Sequence, residues 1–133
     1  MVPMSTSSVQ SAPTLRFVLL QHSVSDNTHW DLMFEVGSVL ATWQLASDPT
    51  VTGAALAPSG VPGRRIADHR AAYLDYEGPI SGGRGCVRQV DAGRYRLLER
   101  SPDCWVVELH GGRLLGVYEL PAGAQPGVVR ARQ

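Results

Sequence analysis

Lysine is absent from this chain: all twelve basic residues are arginines, and twelve Asp and Glu bring the formal net charge to zero. No global basic field exists to hold a polyanion without selectivity, so an anionic ligand has to be met locally. An arginine that meets phosphate does so through a planar, bidentate fork. Cysteine is nearly absent too. Cys86 and Cys104 stand alone, with no CxxC partner, and read as reduced packing thiols that give a thiol nucleophile little support. Long apolar runs are missing, since nothing approaches the roughly 20 residues that cross a bilayer as a helix. Residues 1–14 lack both the basic start and the apolar centre of a signal peptide, and the expected location is cytoplasmic. Helical periodicity is the last absence: no stretch sustains it for three turns.

What is present is an ordinary globular composition, 44% hydrophobic and 18% charged over 133 residues, enough for one core and one domain. Short apolar runs are broken by turn signals about every ten residues, the pattern of a mainly β fold. Strands are expected over residues 15–22, 30–35 and 39–45, with Val36, Gly37 and Ser38 as the turn between the second and third. A loop over 46–63 follows, and 64–68 can resume a strand. Residues 71–76 read as a helical turn ended by Gly78 and Pro79. Four further strands are expected over 85–90, 94–99, 105–110 and 114–120, separated by Asp91-Ala92-Gly93, Ser101-Pro102-Asp103 and Gly111-Gly112. A compact antiparallel β-barrel of about seven to eight strands, with one or two short helices, removes the edges these strands would otherwise expose. The domain is expected over 15–122, between a flexible N-terminal tail (1–14) and a flexible C-terminal tail (123–133).

Chemistry concentrates in two places. His29 and Asp31 lie two apart on the second strand, so they leave one face, opposite Trp30, Leu32 and Phe34. His22 ends the preceding strand and joins them if residues 23–28 fold back. Two imidazoles and a carboxylate suit Mn²⁺, Fe²⁺ or Zn²⁺, against the plainer reading of a solvated strand face. Glu35 shares that face, although its place near a turn favours simple exposure. His69 stands four residues before Tyr73, and a helical turn over 69–73 stacks the two on one side, an arrangement suited to acid-base work or to a structural hydrogen bond. The Ser81-Gly82-Gly83-Arg84-Gly85 segment has the glycines of a phosphate loop but lacks its Lys and Ser/Thr pair, and reads as a hairpin connection.

Several pieces now stand in order: Phe17-Val18-Leu19-Leu20-Gln21-His22, His29-Trp30-Asp31-Leu32-Met33-Phe34-Glu35, Trp43, Asp68-His69, Tyr73, and Tyr76-Glu77-Gly78-Pro79-Ile80. Together they resemble the 3′-phosphoesterase domain of bacterial DNA ligase D, over about residues 15–120. The resemblance implies a manganese-dependent hydrolase that removes 3′-phosphates and 3′-terminal ribonucleotides from DNA or DNA/RNA ends during break repair. It makes His22, His29 and Asp31 similar to the family's metal ligands, His69 and Tyr73 to its catalytic pair, and Arg65 to a phosphate-binding arginine. Three positions depart from the family: Met33 stands for an arginine, Ser47 lies near the place of a lysine, and Ala67 replaces an acidic residue. Arg64, Arg70 and Arg84 are the cations available to compensate. The chain as given carries no polymerase or ligase domain, so repair partners are expected in trans. The alternative reading keeps the fold as a weakened or inactive module that binds a metal, nucleic-acid ends or a protein. A third keeps the metal site for a different phosphate-containing or small-molecule substrate, which Met33 favours by lowering the polarity of the pocket.

Overall fold

The structure, a computed structural model, describes residues 13–51 and 60–132. Alternation of apolar and polar residues produces nine strands: β1 (Leu15–Val24), β2 (Asn27–Val36), β3 (Val39–Leu45), β4 (Val61–Arg70), β5 (Gly78–Pro79), β6 (Cys86–Arg100), β7 (Cys104–Gly111), β8 (Leu115–Pro121) and β9 (Gly127–Ala131). One 3-10 turn, Ala71–Leu74, follows β4. The sheet runs β1-β2-β3-β4-β9-β8-β7-β6, and a further β1–β6 pairing closes it into an antiparallel barrel of eight strands. Closure gives every barrel strand two neighbours, although β9 covers only Val61–Gly63 of β4. β5 pairs with the start of β6, outside the ring. No helix among the described residues is long and apolar enough to cross a membrane.

The period of two divides the strand residues between two apolar clusters. Phe17 and Leu19 of β1, Leu32 and Phe34 of β2, and Trp43 of β3 point inward, where Tyr95, Trp105, Val107, Leu120 and Val129 meet them. Their neighbours Val18, Leu20, Met33 and Leu40 point outward and are covered by Leu74 and Val87. At roughly 25 cal/mol per Å² of apolar surface, both clusters stabilise, but the inner one draws on all eight barrel strands. Edge-to-face packing of Phe34 on Trp43 and Tyr95, with centroids 5.6 and 4.9 Å apart, ties β2, β3 and β6 together.

Four expectations need correction. Asp91-Ala92-Gly93 is not a turn; β6 passes straight through it, making one strand of the two expected. The carboxylate of Asp91 is 6% exposed and accepts the backbone N–H groups of Gly112, Arg113 and Leu114 at 2.9, 3.0 and 2.8 Å. It caps the β7–β8 turn from a neighbouring strand, which is why a turn-type residue sits mid-strand. Gly93 is there for space, because a Cβ would lie 2.2 Å from the carbonyl oxygen of His110. Second, the segment read as a flexible C-terminal tail carries β9, whose pairing with β4 and β8 closes the ring. Of the N-terminal tail, residues 1–12 lie outside the described residues. Third, residues 23–28 are not a loop but mostly paired strand, with Ser25 and Asp26 alone unpaired at the turn and Ser25 at φ +52°. Fourth, Cys86 is exposed rather than packed.

Candidate metal centre and its cavity

The first hairpin assembles the centre by pairing. His22 and His29 are cross-strand partners, and Leu20 opposes Asp31, so the three chemical residues stand on the outer face of one two-stranded ribbon. His22 Nδ1 lies 3.0 Å from His29 Nε2, and the rings meet edge to face with centroids 4.6 Å apart. Asp31 reaches both: its Oδ2 is 3.6 Å from His22 Nδ1 and its Oδ1 is 3.5 Å from His29 Nε2. One ligand atom from each residue falls within 4.8 Å of the others. The triad predicted from the sequence is therefore brought together.

The surroundings prepare these atoms for a cation. His22 Nε2 is 2.7 Å from the carbonyl oxygen of Arg84, which can only accept, so Nε2 carries the proton and the Nδ1 lone pair faces the centre. A histidine held through its second nitrogen in this way is the usual support of a metal ligand. Asp31 is 3% exposed, and its Oδ1 is buried without a hydrogen-bond partner. An orphaned, buried carboxylate oxygen beside two imidazole nitrogens is costly by itself and is satisfied by a divalent cation. Burial also holds His29 below its usual pKa of 6.5, so the ring is neutral and ready to coordinate at pH 7. It pushes Asp31 above 3.8, outweighing the three histidines, which pull the other way. The donor set thus fits a divalent metal.

A cavity of about 670 Å³ opens beside the triad, with His22, Asp31, His69, Tyr73, Arg70 and Arg84 among its walls. His69 does not lie on a helix, as expected, but at the end of β4, and Tyr73 lies on the 3-10 turn, with ring centroids 5.9 Å apart. A register shift in β4 opposite Leu40–Thr42 bends the chain here and turns His69 onto the outer face, opposite Leu40. His69 Nδ1 donates to the carbonyl oxygen of Ala67 at 3.0 Å, which leaves Nε2 for a ligand. Arg70 stands 5.9 Å over the Tyr73 ring. Met33, 1% exposed, forms part of the cavity floor.

Arg65 is not brought to this cavity. It pairs with Trp43 across β3–β4, so it shares the inward face of Trp43, with its guanidinium 4.7 Å from that ring and 5.2 Å from Trp105, and its Nη2 bonded to Asp68 at 3.2 Å. Its neighbour Arg64 shares the outer face: Asp31 opposes Gln44, and Gln44 opposes Arg64. Adjacent strand residues point to opposite sides, so the two arginines cannot serve one site. Glu35 also lies apart, with Oε1 accepting the backbone N–H of Arg16 at 3.0 Å.

A family model for the DNA ligase D 3′-phosphoesterase domain matches residues 20–121. The chain belongs to that family. No curated protein matches it. The stretch shared with the ligase D phosphoesterase domain opens inside β1 and ends on the last residue of β8, so it contains the triad and every residue lining the cavity. β9 lies beyond it. One contribution escaped the sequence reading of this domain: the Arg84 carbonyl that orients His22. The glycines around it are its only signal. Gly85, at φ +86°, lets the β5–β6 turn press on β1, where a Cβ would come within 2.0 Å of the Ser23 carbonyl oxygen.

Proposed function

We propose that this chain is a divalent-metal-dependent phosphoesterase acting on 3′ ends of DNA, removing a 3′-phosphate or a 3′-terminal ribonucleotide. The observation that carries the reading is the His22–His29–Asp31 triad, with Asp31 buried, beside a cavity that His22, Asp31, His69 and Tyr73 line, in a chain of the ligase D phosphoesterase family. His22, His29 and Asp31 would hold the metal, most favourably Mn²⁺. A cation bound there polarises a phosphate oxygen and acidifies water. The remaining roles belong to the protein. Protonated at Nε2, His69 donates to the oxygen that leaves phosphorus, and the Ala67 carbonyl fixes the ring for that transfer. The Tyr73 hydroxyl orients the phosphate. Arg70 and Arg84 at the cavity wall attract the anionic end, while Arg64 biases the field on the His29 side. Fixed positioning of this kind favours the charge that develops during displacement.

The test is hydrolysis of a primer-template bearing a 3′-phosphate or a 3′-terminal ribonucleotide, with and without Mn²⁺, and with His22→Ala as control. Metal-dependent release of the terminal group, lost in the variant, is the expected result. If metal binds and no end is processed, the reading is replaced by that of a binding module built on the same barrel.

A further inference from the structure

The barrel wall is interrupted along one seam. β9 pairs with β4 only over Val61–Gly63 and with β8 only at Tyr118 and Glu119, and among the described residues no strand pairs with the free side of β4 from Arg64 to Arg70. A cleft of about 450 Å³ opens there, lined by Arg65, Arg100, Ser101, Pro102, Trp105 and Ala122. Two guanidiniums stand against the Trp105 ring, that of Arg100 at 4.8 Å and that of Arg65 at 5.2 Å from its centroid. The ring is 2% exposed, so it fixes the cations and leaves their N–H groups to a ligand. Arg65 Nη2 donates to Asp68 at 3.2 Å, but Arg65 Nε is buried with no acceptor. Among the described residues the Arg100 guanidinium meets no carboxylate. The Ser101 hydroxyl is committed to the Cys104 carbonyl at 3.1 Å, and Asp103, beside Gly123, is not among the walls. A buried N–H of a cation without an acceptor is costly, and an oxyanion removes that cost. Two guanidiniums less the Asp68 carboxylate leave one positive charge, which one phosphodiester cancels.

We infer that this seam is a second phosphate site, separate from the metal centre, and that it takes a backbone phosphodiester of the nucleic-acid strand whose 3′ end lies in the metal cavity. The identity of the strand rests on the phosphoesterase reading, whereas the anion site rests on the cleft. Asp68 joins the two: it lines the metal cavity and holds Arg65, so the sites are one ion pair apart. A strand that leaves the cavity past Asp68 meets Arg65 next, and the bond from Arg65 offsets the charge of that carboxylate. Guanidinium forks hold phosphate oxygens and read no base, so the seam adds affinity without sequence preference. A single nucleotide with one phosphate fills the metal cavity and has nothing left for the seam. Ala122 and β9, which shape the cleft, lie beyond the stretch matched to the family.

Binding is measured first in the metal-free protein, where no turnover intervenes, by fluorescence anisotropy of a short labelled primer-template over a range of salt. Arg65→Gln and Arg100→Gln should each weaken binding roughly tenfold and lower the slope of log K against log salt by about one, the loss of one phosphate contact. Arg100→Lys, which keeps the charge, should restore the slope. Arg100 is exposed, so its variants keep the test open if Arg65→Gln does not fold. In the Mn²⁺-loaded protein, Arg100→Gln should raise KM for the primer-template with kcat unchanged, and should leave hydrolysis of thymidine 3′-phosphate as it is. DNA affinity and slope unchanged in both glutamine variants overturn the strand's place in the seam even if DNA 3′ ends are processed. If inorganic phosphate then still shifts the Arg65 Nε–H resonance, the cleft serves a small phosphate instead; if it does not, the seam holds no anion. An equal loss on primer-template and on thymidine 3′-phosphate also overturns the inference, because the effect then lies in the metal cavity. A lowered slope in a protein that processes no end upholds the seam and removes the phosphoesterase.

Discussion

The inner face of the β1–β2 hairpin joins a core drawn from all eight barrel strands, whereas its outer face is covered only by Leu74 on the 3-10 turn, by Val87 on β6 and by a few partly buried neighbours. The same twenty residues of strand therefore serve two structures with different demands. Inside, Phe34, Trp43 and Tyr95 interlock as aromatic edges and faces, and the Arg65 guanidinium lies against the rings of Trp43 and Trp105. Outside, the apolar surface runs out toward the hairpin tip, and a buried carboxylate and two histidines take its place. The comparison teaches that the barrel wall is a rigid support and that the site is built on its exterior. A site on paired strands keeps its ligand atoms within a fraction of an ångström, which a loop does not.

The comparison predicts a separation of effects that substitution can break. The largest effect is expected from Asp31→Ala, which should weaken divalent-metal binding by more than the roughly 10- to 100-fold that loss of an outer-shell partner costs. It should not lower the melting temperature of the metal-free protein, because it removes a buried carboxylate oxygen that has no partner. Metal titration and thermal melts check both halves, and a strongly destabilised variant would mean that the triad also holds the fold. His69→Ala should reduce turnover by about 10²- to 10⁴-fold, the range of a lost acid-base group, with metal affinity unchanged.

A pair of core truncations sharpens the contrast between faces. Phe34→Ala, inside, should cost about 3–5 kcal/mol. Leu74→Ala, outside, should cost only about 2 kcal/mol, since the 3-10 turn can settle into the space. Denaturant unfolding measures both, and equal costs would show that the two clusters form one cooperative unit. Hydrogen exchange should find the outer cover opening before the barrel. The smallest effect is one of alkaline pH. The Tyr95 hydroxyl is pushed up to about 12 by burial, with the Glu35 carboxylate adding to it, and it donates to the Glu35 carbonyl at 2.8 Å. Its folded pKa lies above the unfolded value of 10.0. The protonated form therefore favours the fold, and this stability is complete below pH 10 and lost as pH rises toward 12. In Tyr95→Phe that alkaline decline should flatten, as equilibrium unfolding at pH 9 and pH 11 will show.

Much of this was legible in the residues. Strict alternation along Trp30 to Glu35 marks β2 and its two faces, and the spacing of His29 and Asp31 places both on the polar one, because strand side chains repeat every two residues whatever the rest of the fold does. The glycine of the β2–β3 turn is equally local: Gly37 sits at φ +60°. The turn signals that mislead are those used at a distance. Asp91 looks like a turn former because a short carboxylate bonds backbone N–H groups well, and it does so here for residues 112–114, more than twenty positions away.

The sequence by itself determined the all-β class, the triad and the neighbourhood of His69 and Tyr73, since each rests on period, composition or short spacing. Only the tertiary structure decided the rest. Barrel closure through β9, the register that gives Arg64 rather than Arg65 the outer face, the Arg84 carbonyl behind His22 and the apolar floor under the triad all depend on contacts between strands far apart in the chain. Register is a property of two strands at once, and a shift of one residue reverses every side chain, so no single strand's sequence contains it.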